Sequence, residues 1–155
     1  MSGVSRNHGE LESNLMTFLT TALRARGCRV YPANIRVQVP AAPPYRYPDL
    51  SIVCEEPGFE TIGGVDVLTN PVVLVEVLSP STEAYDRGDK FNLYKSIPTL
   101  QHYILISQTE ILVDHFERSP PDEWRFYSFR DLNDVIQISD PRLTLRLSEI
   151  FRRAF

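Results

Sequence analysis

The stretch Asn70-Pro-Val-Val-Leu-Val-Glu-Val-Leu-Ser-Pro80 limits the possible folds of this chain more than any other. A run of branched apolar residues from Val72 to Leu78, closed by proline at both ends, predicts a strand buried on both faces, as in the centre of an α/β sheet. Glu76 breaks that run. An ionised carboxylate in such a setting costs several kcal/mol unless a cation or strong donors compensate it. A metal ion shared with a second carboxylate is one compensation, and Tyr47-Pro-Asp49-Leu-Ser-Ile-Val53 offers that carboxylate at the head of another apolar strand. The alternatives are a strand-end Glu facing water or one paired to an arginine.

The rest of the chain is consistent with a sheet and its covering helices. Leu11, Leu15, Phe18, Leu19, Ala22 and Leu23 recur at three- and four-residue steps, so a helix is expected from Gly9 to about Arg26, stopped at Gly27. Alternation from Cys28 to Val39 predicts one or two strands. The proline-rich segment 40–48 is a turn that delivers the chain to Asp49, and Leu50 to Cys54 is the next strand. Residues 55–69, with Gly58, Gly63 and Gly64, read as a long loop that lies over a site.

A second helix is expected from about Glu83 to Ser96, weakened at Gly88, with Asp86, Lys90 and Tyr94 on one face at four-residue steps. Segments 101–107, 111–118, 123–129 and 135–139 predict an antiparallel meander, and 147–151 a short closing helix. At 155 residues the whole chain, 1–155, is expected to be one domain.

Composition narrows the function classes. The formal net charge of -4, with 16 Lys and Arg, argues against a surface coated in base, though not against a local groove. Arg24, Arg26, Arg29, Arg36, Arg46 and Arg87 are the candidates for one. No apolar run approaches the length of a membrane span. Cys28 and Cys54 lie in apolar, strand-like settings without metal spacing, so they are expected to be reduced core residues, with a disulfide as the minor alternative, and the protein to be cytoplasmic. No Gly-x-Ser-x-Gly elbow or phosphate-cradling glycine loop is present.

Asp49 and Glu76 on neighbouring strands would repel unless a divalent ion sat between them, and an oxygen-only ligand set favours Mg²⁺ or Mn²⁺. Lys90 is the ammonium expected to act beside them. For Lys90 the competing role is an ion pair with Asp86 one helical turn away, for Asp49 a turn cap after Pro48, and for Tyr94 plain core packing. His102 and His115 lack ligand spacing, so packing is expected of both.

These motifs together resemble a known family. Tyr47-Pro-Asp49-Leu-Ser-Ile-Val53, then Pro71-Val-Val-Leu-Val-Glu76-Val-Leu-Ser-Pro-Ser-Thr82, then Asp86, Lys90, Tyr94 and Tyr103-Ile-Leu-Ile106, with His8 at the head of the first helix, are similar to the Uma2 group of the PD-(D/E)XK nuclease superfamily. The resemblance covers essentially the whole chain. It implies a restriction-endonuclease-like α/β core, a central mixed sheet flanked by helices, and Mg²⁺- or Mn²⁺-dependent hydrolysis of nucleic-acid phosphodiesters, with DNA the expected polymer.

Carried over by position, Asp49 and Glu76 are metal ligands, the carbonyl of Val77 is a third, and Lys90 assists the attacking water. The lysine that the superfamily places two residues after the Glu is absent, since Leu78 stands there. Glu12, preferred to Glu10, and Asp86 are accessory candidates. His8 is divided between helix capping and phosphate contact. Duplex cleavage by a single-site domain further implies a homodimer. The alternative is a nuclease fold without catalysis that binds nucleic acid or a protein partner.

Overall fold

A computed structural model describes residues 5–155. Its first element is α1 (Arg6–Arg24), whose Leu11, Leu15, Leu19 and Leu23 form one fully buried stripe. Burying each leucine contributes ~1.5–3 kcal/mol, and this stripe holds the helix against a sheet.

The sheet has six strands. In chain order they are β1 (Arg29–Tyr31), β3 (Leu50–Val53), β6 (Val73–Leu78), β7 (His102–Ser107), β8 (Val113–Ser119) and β9 (Glu123–Phe129), and that is also their spatial order. Only β6 and β7 pair in parallel. Their crossover is α2 (Glu83–Arg87) with α3 (Asp89–Tyr94). All six residues of β6 are buried, as an uninterrupted apolar run requires.

Alternation along the strands makes two cores. Val73, Val75 and Val77 face α1 together with Leu50, Ile52, Ile104 and Ile106. Leu74, Leu78, Tyr103 and Leu105 face the opposite side, where Phe91 and Tyr94 of α3 cover them. Glu76 falls on the α3 side by the same period of two.

Several expectations are corrected. The 55–69 segment is not a loop over a site: β4 (Phe59–Ile62) and β5 (Val65–Leu68) form a hairpin, and β5 pairs in parallel with β2 (Arg36–Val37) in a separate three-stranded sheet. Gly63 and Gly64, at φ 59° and 81°, make the two-residue turn, a conformation that favours paired glycines in hairpins.

The helix expected over 83–96 is divided at Gly88 (φ -105°, ψ -89°), where a Cβ would stand 3.3 Å from the carbonyl oxygen of Ala84. The meander continues the main sheet only through β9. β10 (Val135–Ser139) pairs instead with β11 (Arg142–Arg146), and α4 (Leu147–Ile150) follows, packed in the α1-side core.

Cys28 and Cys54 are not reduced. They lie one step beyond the Arg29–Val53 pair of the β1–β3 ladder, with Cα atoms 4.0 Å apart, and are joined as a disulfide. Strand register brings together two cysteines 26 residues apart, which composition does not reveal. The expectation of a cytoplasmic protein loses the support it drew from free thiols. Among the described residues, no helix is long and apolar enough to cross a membrane.

Candidate active site

The β3–β6 register sets the site. Leu50 pairs with Val75, so the next step places Asp49 across from Glu76. The Asp49 carboxylate accepts a hydrogen bond from the Val77 N–H at 2.7 Å, which ties the end of the proline turn to β6. Glu76 is 4% exposed, and its carboxylate has two donors. Lys90 Nζ lies 2.9 Å from Oε2, and the Tyr94 hydroxyl donates to Oε1 at 3.3 Å. Both donors come from α3, one turn apart.

Lys90 also lies 3.4 Å from Asp86 Oδ1. The pair with Asp86 is therefore present, and Lys90 bridges Asp86 and Glu76. Thr82 Oγ1 donates to the other Asp86 oxygen at 3.2 Å, and the Tyr103 hydroxyl donates to the Asp86 carbonyl at 3.1 Å. Leu78, where the superfamily lysine would stand, is buried in the α3-side core. The ammonium reaches Glu76 from the crossover helix instead.

A second group lies beside the first. His8 Nε2 is 2.8 Å from Glu12 Oε1 and 3.5 Å from Asp49 Oδ1. Ligand atoms of these three residues all fall within 4.8 Å of one another. Ser5 caps α1 by accepting from the His8 N–H, and its own hydroxyl donates to Gln108 at 2.6 Å. That bond and the one from Asn7 to the Gln108 carbonyl tie the head of the helix to the loop after β7. His8 therefore takes part through its ring as well as its backbone. Glu12 belongs to the group, and Glu10 does not.

His8, Glu12, Asp49, Glu76, Asp86 and Lys90 line one hollow of about 700 Å³, which also includes Tyr47, Ser79, Thr82 and Tyr85. Asp49 and Glu76 share that hollow, but each carboxylate has its own partners, Asp49 with His8 and Glu76 with Lys90 and Tyr94. None of Arg24, Arg26, Arg29, Arg36, Arg46 or Arg87 is in the lining. Arg87 pairs instead with the buried Asp114 and, at 3.0 Å, with Glu83.

Protonation follows from this packing. Burial pushes the Glu76 carboxyl up to about 8, opposed by Lys90 and reinforced by Asp49. Burial disfavours the charged Lys90, yet Glu76 and Asp86 outweigh it and hold the ammonium above its ordinary value. Hydrogen bonds to Asp49 and Glu12 raise His8 to about 10, so it is an imidazolium at neutral pH. Glu76 therefore takes up a proton more readily than an ordinary carboxylate, and a divalent cation would compete with that proton.

Two features escaped the sequence reading. Tyr94, expected to be plain core, is buried but directs its hydroxyl to Glu76; its four-residue spacing from Lys90 was the available signal. The His8–Asp49 contact joins α1 to the head of β3, and no local pattern announces it. His102 and His115 are buried as expected, but they touch each other away from this hollow.

A mixed sheet with one parallel pair and a helical crossover between its strands, with Asp49 at the head of β3 and Glu76 within β6 lining one hollow, defines a protein of the restriction-endonuclease-like α/β fold. A crystal structure from Anabaena variabilis described as "a putative nuclease belonging to DUF820" superposes with a TM-score of 0.77 at 17% identity, over 99% of this chain and 85% of that one. At that identity the match shows the fold. The chain belongs to the Uma2 family, whose description is "Putative restriction endonuclease" and whose model matches residues 1–148. Two uncharacterized proteins of Synechocystis sp. are each 32% identical, one over 98% of this chain and 78% of its own length, the other over 90% and 78%.

Proposed function

We propose that this protein is a metal-dependent endonuclease that hydrolyses nucleic-acid phosphodiesters, with DNA as the substrate. The observation that carries the reading is a carboxylate buried in the central strand of the sheet, facing a hollow that also holds Asp49 and a lysine ion-paired to it. Structural stability alone gives little reason for such a group, because well-packed apolar residues serve a core as well or better.

Asp49, Glu76 and the carbonyl of Val77 would hold the ion, and an all-oxygen set fits Mg²⁺ or Mn²⁺. A divalent ion held there would supply polarisation of the phosphoryl oxygen and a lowered pKa of bound water. The protein's own groups do the rest. Glu76 would serve as a ligand in its ionised form, which Lys90 favours. The Lys90 ammonium, held between Glu76 and Asp86, would orient the attacking water or offset charge developing on the phosphorus oxygens. Tyr94 and Asp86 fix the positions of Glu76 and Lys90. His8, charged and braced by Glu12, lines the same hollow and would meet a phosphate there.

The test is Mn²⁺ binding and plasmid cleavage by the wild type, Asp49→Ala and Glu76→Ala. Loss of both in each variant is expected. Equal binding and cleavage in all three would leave only a nuclease-shaped scaffold. Duplex cleavage further calls for two copies about a twofold axis, and sedimentation should find a dimer at micromolar concentration. A monomer there would remove the dimer without touching the hydrolytic reading.

A further inference from the structure

The face of the sheet that packs against α1 holds a second set of ligand-bearing side chains, outside the hollow of Asp49 and Glu76. In the β7–β8 register His102 stands opposite Glu117 and Ile104 opposite His115, so all three polar residues project from one face. His102 and His115 are 4% and 2% exposed. His102 Nδ1 lies 2.9 Å from His115 Nε2 and 3.9 Å from Glu117 Oε2. The ligand atoms of the three residues fall within 4.8 Å of one another.

The tautomers follow from the neighbours. His102 Nε2 lies 3.1 Å from the carbonyl oxygen of Asp140, an acceptor only, so Nε2 carries the proton and donates. In the neutral ring Nδ1 is then a bare lone pair, and the one proton between the two rings belongs to His115 Nε2. This is the arrangement of a metal-ligating histidine, whose far nitrogen is fixed by a carbonyl so that the near one is presented to an ion.

The geometry points to a site for a transition-metal ion of the Zn²⁺ class, bound by His102 Nδ1, His115 Nε2 and the Glu117 carboxylate. The ion replaces the inter-ring proton, and that proton moves to the free Nδ1 of His115, which keeps the ring neutral. Tetrahedral ligands at Zn–N bond lengths stand about 3.3 Å apart, so from 2.9 Å the rings need to part by a few tenths of an ångström and to turn so that both lone pairs meet at the ion instead of facing each other. Two imidazoles and one carboxylate suit Zn²⁺, Co²⁺ or Ni²⁺ and disfavour Mg²⁺. Access exists on both sides, through a hollow of about 240 Å³ beside His115 and Tyr127 and another of about 230 Å³ beside His102 and Asp140, with Glu117 lining both. Because the Asp140 carbonyl belongs to the turn between β10 and β11, a bound ion would also fasten that hairpin to the main sheet.

The experiment is a Co²⁺ titration of the full chain in excess Mg²⁺, read by visible ligand-field absorption. One equivalent is expected to bind to the wild type and equally to Asp49→Asn, and Zn²⁺ should displace it. Glu117→Gln is expected to weaken binding at least ~10-fold, as even the loss of an outer partner does. His115→Gln should abolish it. If His115→Gln does not fold, Glu117→Gln carries the test, because that carboxylate is partly exposed. Absence of a cobalt spectrum in the wild type would overturn the proposal. So would binding that Asp49→Asn removes and Glu117→Gln leaves intact, because the ion would then sit with His8, Glu12 and Asp49.

Discussion

The two faces of the six-stranded sheet each bury a polar cluster, and they satisfy it by opposite means. On the α3 side the groups are ionic: Glu76 meets Lys90, and Asp114 meets Arg87. On the α1 side they are neutral rings, His102 against His115, closed by the Asp140 carbonyl. A charge inside a protein demands a counter-charge and shifts its proton equilibrium until one state wins. A pair of imidazoles stays uncharged and needs only hydrogen bonds. The ionic face is therefore poised to exchange a proton for a cation, and the neutral face to exchange one for a softer metal.

The largest expected effect of this contrast is on pH dependence, amounting to a few kcal/mol over the full range. Glu76, raised from 4.5 to about 8, binds its proton more tightly in the folded protein, so its contribution is lost as pH climbs from about 5 to 8. His8, raised from 6.5 to about 10, acts in the same direction between about 6.5 and 10. Burial holds His115 down at about 4, so its contribution is lost as pH falls from 6.5 toward 4. Denaturant melts across pH without metal should give a broad maximum at mildly acid pH, where the Glu76 and His115 slopes oppose each other between 4.5 and 6.5, and a steep fall above it as Glu76 and His8 act together. Glu76→Gln should flatten the alkaline limb and His115→Gln the acid limb. An alkaline limb unchanged in Glu76→Gln would mean that Glu76 is ionised in the free protein.

Next in size is catalysis. Lys90→Met should lower cleavage by ~10²–10³-fold, the typical effect of removing a charge-stabilising donor, while Mn²⁺ binding at the carboxylates persists. Single-turnover rates at saturating Mn²⁺ check this. Rates within a factor of about three of wild type would reduce Lys90 to a structural counter-ion.

Smaller still are losses of partners in the folded state. Arg87→Met strands Asp114, one of whose carboxylate oxygens already lacks a partner. Because Arg87 is partly exposed, the cost should be about 2–3 kcal/mol, at or below the lower end for a broken buried pair. On the neutral face, His115→Phe conserves shape but leaves the buried, uncharged His102 Nδ1 without its donor, so about 1–2 kcal/mol is expected. Urea midpoints compare the two. A larger loss at His115 than at Arg87 would reverse the contrast between the faces.

Much of the α3-side site was legible because local pattern exposes it. Glu76 violates an apolar run, Asp49 follows a proline at the head of another, and Lys90 and Tyr94 repeat at helical spacing. The β4–β5 hairpin was legible in principle from Gly63-Gly64 between alternating segments, and was missed because loop composition hid the alternation. The His102–His115 pair left no local trace. Their separation of 13 residues corresponds to no ligand spacing, and only the antiparallel register of β7 with β8 places the rings on the same face. The Cys28–Cys54 bond escaped for the same reason.

The sequence alone determined the amphipathic first helix, the buried central strand and the anomalous acid within it, because periodicity and burial act over a few neighbouring residues. Tertiary structure decided which distant residues meet: Asp49 with His8, Cys28 with Cys54, and His102 with His115. Strand register and helix docking fix such meetings through the packing of the whole core, and no short segment carries that information.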